Sequence, residues 1–598
     1  MSRLAAAAAA KPGATAPRVE RAERAAEGLP PSAARALWAA SIGLLALRAL
    51  AALLPGRYVW GLDLGRDVGP LAAVVGLALP LALHLPALAR ATARLVPRSA
   101  RAQALLAVVL AGCLALFMLA HPDRALFTGD ASLRHGAFAA IAEPEKLAAQ
   151  AMRADLVLHH DLPRWASEHT PWNADEAGRA EGAVLAFLTA LAGWRLATAL
   201  GARAELAIAI GAIAACTGAL ALDNGYGKAS VEVACLTGIA AVGVVHAARE
   251  GSGLGTVGAS VALGLLLHRS ALALLPAWLV AVALVVRAGT WKRPAAIAGA
   301  LAPLVVLALV APRLVQVMGS FDRERHLTGG LAHTLGLAFS PSHVADVFHT
   351  LCLLVPLVLL LPLLAFLAPR PPARETLALA ALALPPLVLL VVVQPQQGLS
   401  RDWDVFAFAG VALAAVVAWR VVAVLGAEPR ARWLALPLAV SAACPALQFA
   451  ALQTDSARTW ARAESILIGP PDRDPSERAR GLSTMGMMHY GRGDYVHALA
   501  LLERSADAAP NPRTFAEQGM ALTMMDRPQE ALARYRRAVS LDPDLLIGWR
   551  GIAAAASAVG DREAMRDAVH ALERLQPDSD VLLDMRAWLE SNPEPTKR

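Results

Sequence analysis

Charged residues are scarce in this chain. Asp, Glu, Lys and Arg supply 17% of its 598 residues while 57% are hydrophobic, and the mean hydropathy is +0.48. Soluble chains carry about a quarter charged residues, so the deficit excludes a single water-soluble core. Cysteine is scarce too. The five (Cys113, Cys216, Cys235, Cys352 and Cys444) all lie inside apolar blocks, with no CxxC pair and no Cys/His ligand spacing, which predicts no disulfide framework and no structural zinc site. The Ala-rich start carries Arg18, Arg21 and Arg24 but lacks an apolar stretch followed by a cleavage site. Residues 1–32 therefore read as a disordered cytoplasmic tail rather than a signal peptide. The net charge of +7 does not indicate nucleic acid, because most arginines outside the C-terminal region sit in short loops between apolar blocks, where they set membrane topology.

What is present is length in the apolar runs. Blocks of about 18 to 25 residues match a hydrocarbon layer of about 30 Å, in which a helix satisfies its own backbone. The sequence predicts thirteen spans near 33–54, 68–88, 102–120, 182–200, 204–222, 230–247, 255–267, 270–286, 294–312, 346–368, 376–394, 406–425 and 433–452. His268, Arg269 and Ser270 interrupt the run 257–286, which reads as two helices meeting at a polar turn. The basic segments with Arg90, Arg94, Arg98 and Arg101, with Arg287, Lys292 and Arg293, and with Arg370 and Arg430 fall on the side of the N-terminus. That side is cytoplasmic by the positive-inside rule. The loops at 55–67, 121–181, 223–229, 268–270, 313–345 and 395–405, and the C-terminal domain, then face outward across an inner or plasma membrane.

The outward loop 121–181 carries ten acidic residues against six basic ones. Its amphipathic pieces, 133–141 and 146–158, suit an ordered loop lying at a membrane surface.

After a linker at 453–478, marked by Gly469, Pro470, Pro471 and Pro475, residues 479–598 turn polar and repeat. Gly486, Ala498 and Pro510 recur as Gly519, Ala531 and Pro543 at an interval of 33 residues, and a third, degenerate unit carries Trp549 and Pro577. A small residue at a helix crossing, Ala in the second helix and a closing Pro resemble the tetratricopeptide repeat (TPR), with Phe515, Tyr535 and Ala538 also fitting the pattern. The alternative is an ordinary helical hairpin domain.

Several polar residues stand out at span ends. Ser400, Arg401, Asp402, Trp403 and Asp404 precede the span at 406. Paired carboxylates there suit a divalent cation and Arg401 a phosphate; otherwise the segment is a polar cap with Trp403 as interfacial anchor. Asp130 and Arg134 lie four apart and share a helix face, so Asp130 reads as a metal ligand or a general base, or the two as an ion pair at a helix start. His159 and His160 are adjacent, hence point to different sides of a helix and make a poor joint metal site. Asp223, Asn224, Gly225, Tyr226, Gly227 and Lys228 lead to Glu232, an acid at the start of a span; the alternative is a capping turn. His268 and Arg269 suit a lipid-linked phosphate, though Arg269 also has the length to snorkel. Arg48, Arg195 and His84 fall within spans, where snorkelling or pairing explains them as well as function does.

Taken in order, these features resemble the polytopic GT-C-type glycosyltransferases: an early acidic outer loop (Gly129, Asp130, Arg134), the Gly-Tyr segment before Glu232, the split hairpin at His268, and Arg-Asp-Trp-Asp at 401–404. A bundle followed by TPRs also looks like the TPR-bearing protein O-mannosyltransferases. The resemblance implies an all-α fold, a GT-C-like bundle over 33–452 followed by a TPR α-solenoid. It further implies inverting transfer of a sugar from a polyprenyl-phosphate donor. Asp130, Arg134 and Glu232 would be catalytic, His268, Arg269, Arg401, Tyr226 and Lys228 would bind substrate, and Asp402 and Asp404 would hold Mg2+ or Mn2+. The TPRs would recruit a protein or peptide acceptor. Two further spans precede the acidic loop, where the family places it directly after the first, and Asp63 in the first outer loop is a rival acid. Two other readings stay open. One is a non-catalytic membrane-anchored TPR scaffold. The other is an O-antigen-ligase-like enzyme, although such proteins keep their large outer loop late in the bundle. A transporter is least favoured, for want of an inverted repeat of broken spans.

Overall fold

The computed structural model describes residues 31–97, 99–322, 330–395 and 397–592. The tail expected over 1–32 lies almost wholly outside them. Among the described residues every regular element is helical. The chain packs as two units, one of residues 59–395 and 402–458 with the preceding N-terminal segment, the other of 56–58, 396–401 and 459–598.

Among the described residues of the first unit, nine helices are long and apolar enough to cross a membrane, or up to eleven if each of two bent pairs counts as one crossing. Two shorter apolar helices, Ala204–Ala215 and Leu254–Leu267, cover further segments expected as spans. Asp402–Ala427 and Ser230–Glu250 are mostly buried by protein (83% and 72%), whereas Pro294–Ser320 and Ala100–Ala120 are not (17% and 22%). The first two are therefore the centre of this helical unit, and the apolar surface of the others is left for lipid.

The two bent pairs have a shared cause. Pro70–Leu83 and Pro86–Ala93 meet at 88°, and Pro341–Leu354 and Val358–Leu367 at 102°, where single spans over 68–88 and 346–368 were expected. At each break the residue before a proline is extended, Leu85 (φ −77°, ψ 114°) ahead of Pro86 and Val355 (φ −127°, ψ 90°) ahead of Pro356. Proline disfavours helical backbone at the preceding residue and removes one donor, so the helix ends there. Polar side chains from within spans cover the exposed backbone. Arg48 donates to the Pro356 carbonyl (2.8 Å), the His84 ring pairs with the Pro80 carbonyl (2.7 Å) and Ser41 (2.8 Å), and Trp38 donates to the His84 carbonyl (3.0 Å). Arg195, by contrast, is exposed beside Trp194.

The run 257–286 divides as expected. The Leu254–Leu267 helix stops at an extended His268 (φ −152°, ψ 140°), and a 3-10 turn, Arg269–Leu274, leads into Leu275–Arg287. The loop 121–181 is ordered as short turns around a small core of Phe138, Ala148, Ala151 and Leu156.

In the second unit, helices pair in sequence: Pro475–Gly491 with Tyr495–Ala508, Pro512–Met524 with Pro528–Leu541, and Leu546–Val559 with Arg562–Leu575, each packing on the next. The expected linker 453–478 holds a further helix, Ser456–Ile468. The recurring landmarks have packing roles. A Cβ at Gly519 would lie 2.7 Å from the Tyr535 ring, and Ala498, Ala531 and Ala538 are fully buried, so any larger side chain would part the helices.

Candidate functional site

Two polar clusters, both in the first unit, hold most of the residues singled out by sequence. The first gathers Asp130, Tyr226, Lys228 and Asp404 from three distant segments. Tyr226 donates its hydroxyl to Asp404 Oδ2 (2.7 Å) and accepts the Asp130 backbone N–H (3.1 Å). Lys228 Nζ bridges Asp130 Oδ2 (3.0 Å) and Asp404 Oδ2 (3.1 Å), and Gln150 donates to the same Asp130 oxygen (3.3 Å). Asp404 is fully buried and Lys228 nearly so, while Asp130 keeps some exposure. Gly129 makes this packing possible. It has φ +49°, and a Cβ there would lie 2.2 Å from the Tyr226 hydroxyl and 2.5 Å from Asp404 Oδ1.

The electrostatics follow from burial and proximity. Burial works against the Lys228 ammonium, but Asp130 and Asp404 outweigh it and hold its pKa above the ordinary lysine value. Burial and the same two carboxylates push the Tyr226 phenol well up, so it stays a neutral donor. His268 is buried with its Nδ1 against Ser270 (2.8 Å). Burial, then Arg269, Lys228 and Arg134, drive its pKa well below the usual histidine value, leaving a neutral ring near pH 7. Arg269 beside it is half-buried.

The expected metal pair Asp402 and Asp404 divides. Asp402 is half-buried on the 3-10 turn, while Asp404 is salt-bridged to Lys228, so the cation next to it is the chain's own. Arg401 falls in the second unit, where it donates to Thr484 Oγ1 (2.7 Å).

The second cluster forms behind the acidic loop. Arg134 does not pair with Asp130; it makes a buried two-pronged bridge to Asp155 (3.2 and 2.9 Å). Next to it His159 Nε2 lies 3.8 Å from Asp155 Oδ1 and 3.3 Å from Glu232 Oε1, and Nδ1 lies 3.4 Å from Glu181 Oε2. Neither ring nitrogen of His159 and neither oxygen of Glu232 has a partner in hydrogen-bonding geometry. Burial disfavours the imidazolium, but Glu232 and Glu181 outweigh it and raise the His159 pKa well above its ordinary value. Burial and Glu232 likewise push the Asp223 carboxyl well up.

Local sequence places these groups. His159 lies on a π-helical turn, Val157–Asp161, closed by the Leu162 N–H to the Val157 carbonyl. Pro163 follows and has no N–H to offer the His159 carbonyl, so the regular ladder fails there and the wider turn takes its place. Glu181 sits in the Ala174–Ala199 helix, started by a capping box in which Asn173 accepts from the Glu176 N–H (2.9 Å) and Glu176 from the Asn173 N–H (2.8 Å). Glu232 lies in the first turn of Ser230–Glu250, where the helix dipole favours an anion. His160 turns away to Asp161 (2.7 Å) and the Ile141 carbonyl (2.9 Å).

A cavity of about 180 Å³ opens beside the second cluster, lined among others by Asp123, Arg124, Arg134, His159, Arg179 and, from the segment between Tyr226 and Lys228, Gly227. Asp123 accepts the Ala125 and Leu126 N–H groups (both 2.9 Å), and burial raises its pKa to about 6. Asp123, Asp155 and Glu181 had not stood out in sequence. The available signal was spacing: Asp155 and His159 are four apart on a helical turn.

No protein-family model matches this chain, and no curated protein matches its sequence significantly.

Proposed function

We propose that the protein is a membrane glycosyltransferase of the GT-C type, taking a sugar from a polyprenyl-phosphate donor, with a C-terminal TPR solenoid that binds a protein or peptide partner. The observation that carries the reading is the cluster of Asp130, Tyr226, Lys228 and Asp404. Four polar residues from loops that the charge pattern assigns to one membrane side meet at one buried point. Buried, paired charge within an apolar bundle is costly and concentrates at functional sites.

In this reading Asp130, the most exposed member, takes the proton of an acceptor hydroxyl as that oxygen attacks the anomeric carbon. The bond from that carbon to the phosphate oxygen breaks on the opposite face, and polyprenyl phosphate leaves with the electron pair. Lys228 and Gln150 hold the Asp130 carboxylate, and Tyr226 fixes its backbone. Both terminal nitrogens of Arg134 are taken by Asp155, and the cavity-lining Arg179 faces the donor phosphate in its place. The 33-residue landmarks, buried at the helix crossings of the second unit, support the TPR assignment.

The test uses full-length protein reconstituted with a polyprenyl-phosphate sugar and reads the release of polyprenyl phosphate in the presence of acceptor. Asp130→Asn is expected to lower the rate by about 10²–10⁴-fold, the usual contribution of a positioned base, with thermal unfolding unchanged. A rate equal to that of the wild type removes the catalytic reading and leaves the membrane-anchored scaffold. The closed character of the cluster, in which Lys228 is paired with both carboxylates, is the observation that favours that second reading.

A further inference from the structure

Among the described residues, His159, Glu181 and Glu232 present one ligand atom each within 4.8 Å of one another. His159 and Glu232 are 6% and 5% exposed, and neither has a hydrogen-bond partner for any side-chain nitrogen or oxygen. Buried polar atoms are almost always satisfied, and a buried carboxylate without a donor is costlier still. Glu232 Oε1 lies 3.3 Å from Nε2 and Glu181 Oε2 3.4 Å from Nδ1, so an ion on either ring nitrogen has one carboxylate oxygen already at ligand spacing and the other within 4.8 Å. Bonds of about 2.0–2.2 Å to a tetrahedral centre hold neighbouring ligands roughly 3.4 Å apart.

Charge leads to the same conclusion. Asp155, Glu181 and Glu232 bring three negative charges to the cluster, and Arg134 brings one positive charge. With all three carboxylates ionised, a protonated His159 still leaves one negative charge uncompensated. A neutral imidazole with a dication brings the total to zero.

We infer that His159, Glu181 and Glu232 form a divalent metal site, distinct from the Asp402 and Asp404 pair, that takes a borderline transition ion such as Zn2+. One nitrogen and two carboxylates suit such an ion better than Mg2+, which prefers oxygen alone in an octahedral shell. Three protein ligands leave a coordination position open, and His159 lines the cavity, from which an exchangeable oxygen ligand can reach the ion. Asp155, anchored by Arg134, lies 3.8 Å from Nε2 at the edge of the site. The site does not depend on the glycosyl-transfer reading.

The experiment uses full-length protein purified in detergent, stripped with chelator, dialysed against Zn2+ and washed. Elemental analysis should find about one equivalent per chain, and thermal unfolding should rise with Zn2+ because the ion binds only the folded state. His159→Ala, Glu181→Gln and Glu232→Gln should each weaken binding at least tenfold, the last two while keeping side-chain volume. Asp404→Asn should keep the metal, and so should Asp130→Asn, whose loss of transfer tests the other proposal separately. Co2+ in the same protein should give visible absorption that changes in His159→Ala. A wild-type protein that retains no Zn2+ overturns the inference without recourse to any variant. Full retention by the His159→Ala, Glu232→Gln double variant does so as well.

Discussion

At the scale of single residues, the positions of Asp130 and Arg134 differ from what their spacing suggested. Four apart, they would share a helix face, but the helix there is a single turn, Ala131–Arg134, and each finds a distant partner, Lys228 for Asp130 and Asp155 for Arg134. Lys228 is the pivot of its cluster. Lys228→Met removes the cation paired with the buried Asp404, and breaking a buried pair costs about 3–5 kcal/mol. Asp404→Asn, which leaves Lys228 paired with Asp130, should cost clearly less, and thermal unfolding of both variants in detergent checks that order. Asp123 supplies a pH dependence. Its folded pKa of about 6 lies above the ordinary 3.8 because of burial, so the folded state holds the proton more tightly. The group therefore adds most stability below about pH 4, and that contribution is lost as pH rises through 6. Asp123→Asn keeps an acceptor for the Ala125 and Leu126 N–H groups. It should be more stable than wild type above pH 6, by up to about 3 kcal/mol at 1.36 kcal/mol per unit, and match it near pH 4. An equal gap at both ends of that range would contradict the assignment.

At the scale of elements, the apolar blocks were legible because a span needs length and little else, and the polar interruption at His268 was visible for the same reason. The two sharp bends were not expected, although Pro86 and Pro356 stand in plain view. Hydropathy averages over a window and cannot see that one proline turns the chain by about a right angle. The second cluster was illegible for a related reason. The adjacent histidines drew attention to each other, whereas the relevant neighbours are Asp155, one turn earlier, and two acids on later helices, Glu181 within Ala174–Ala199 and Glu232 in the first turn of Ser230–Glu250. The π-helical turn at Val157–Asp161 aims His159 at those acids, and Pro163 causes it. Pro163→Ala restores the missing donor and lets the turn close regularly, rotating the ring away without touching a ligand. Zn2+ affinity should fall at least tenfold while far-ultraviolet circular dichroism stays unchanged. Undiminished affinity would show that the turn has no part in orienting His159.

At the scale of the whole molecule, sidedness decides what the clusters can meet. The charge pattern assigns 121–181, 223–229, 268–270 and 395–405 to one side. Asp130, Lys228 and Asp404 from three of those segments touch, and His268 from the fourth senses Lys228 and Asp130 electrostatically. Segments on opposite faces of a bilayer would be separated by about 30 Å of hydrocarbon and could not do so. Common sidedness of these loops thus follows from the packing of the first unit, and what is left to determine is which side they share. An odd number of crossings would also put the C-terminal unit on that side, opposite the basic segment at 287–293. Single cysteines in a cysteine-free background separate the possibilities. Val496→Cys, on an exposed position of the second unit, should react in intact cells with a membrane-impermeant maleimide, while Lys292→Cys should react only after permeabilisation. Labelling of both sites in intact cells would mean an even number of crossings between them, and the reverse pattern would put the cavity on the cytoplasmic side, within reach of soluble nucleotide sugars rather than of a lipid-linked donor on the outer leaflet.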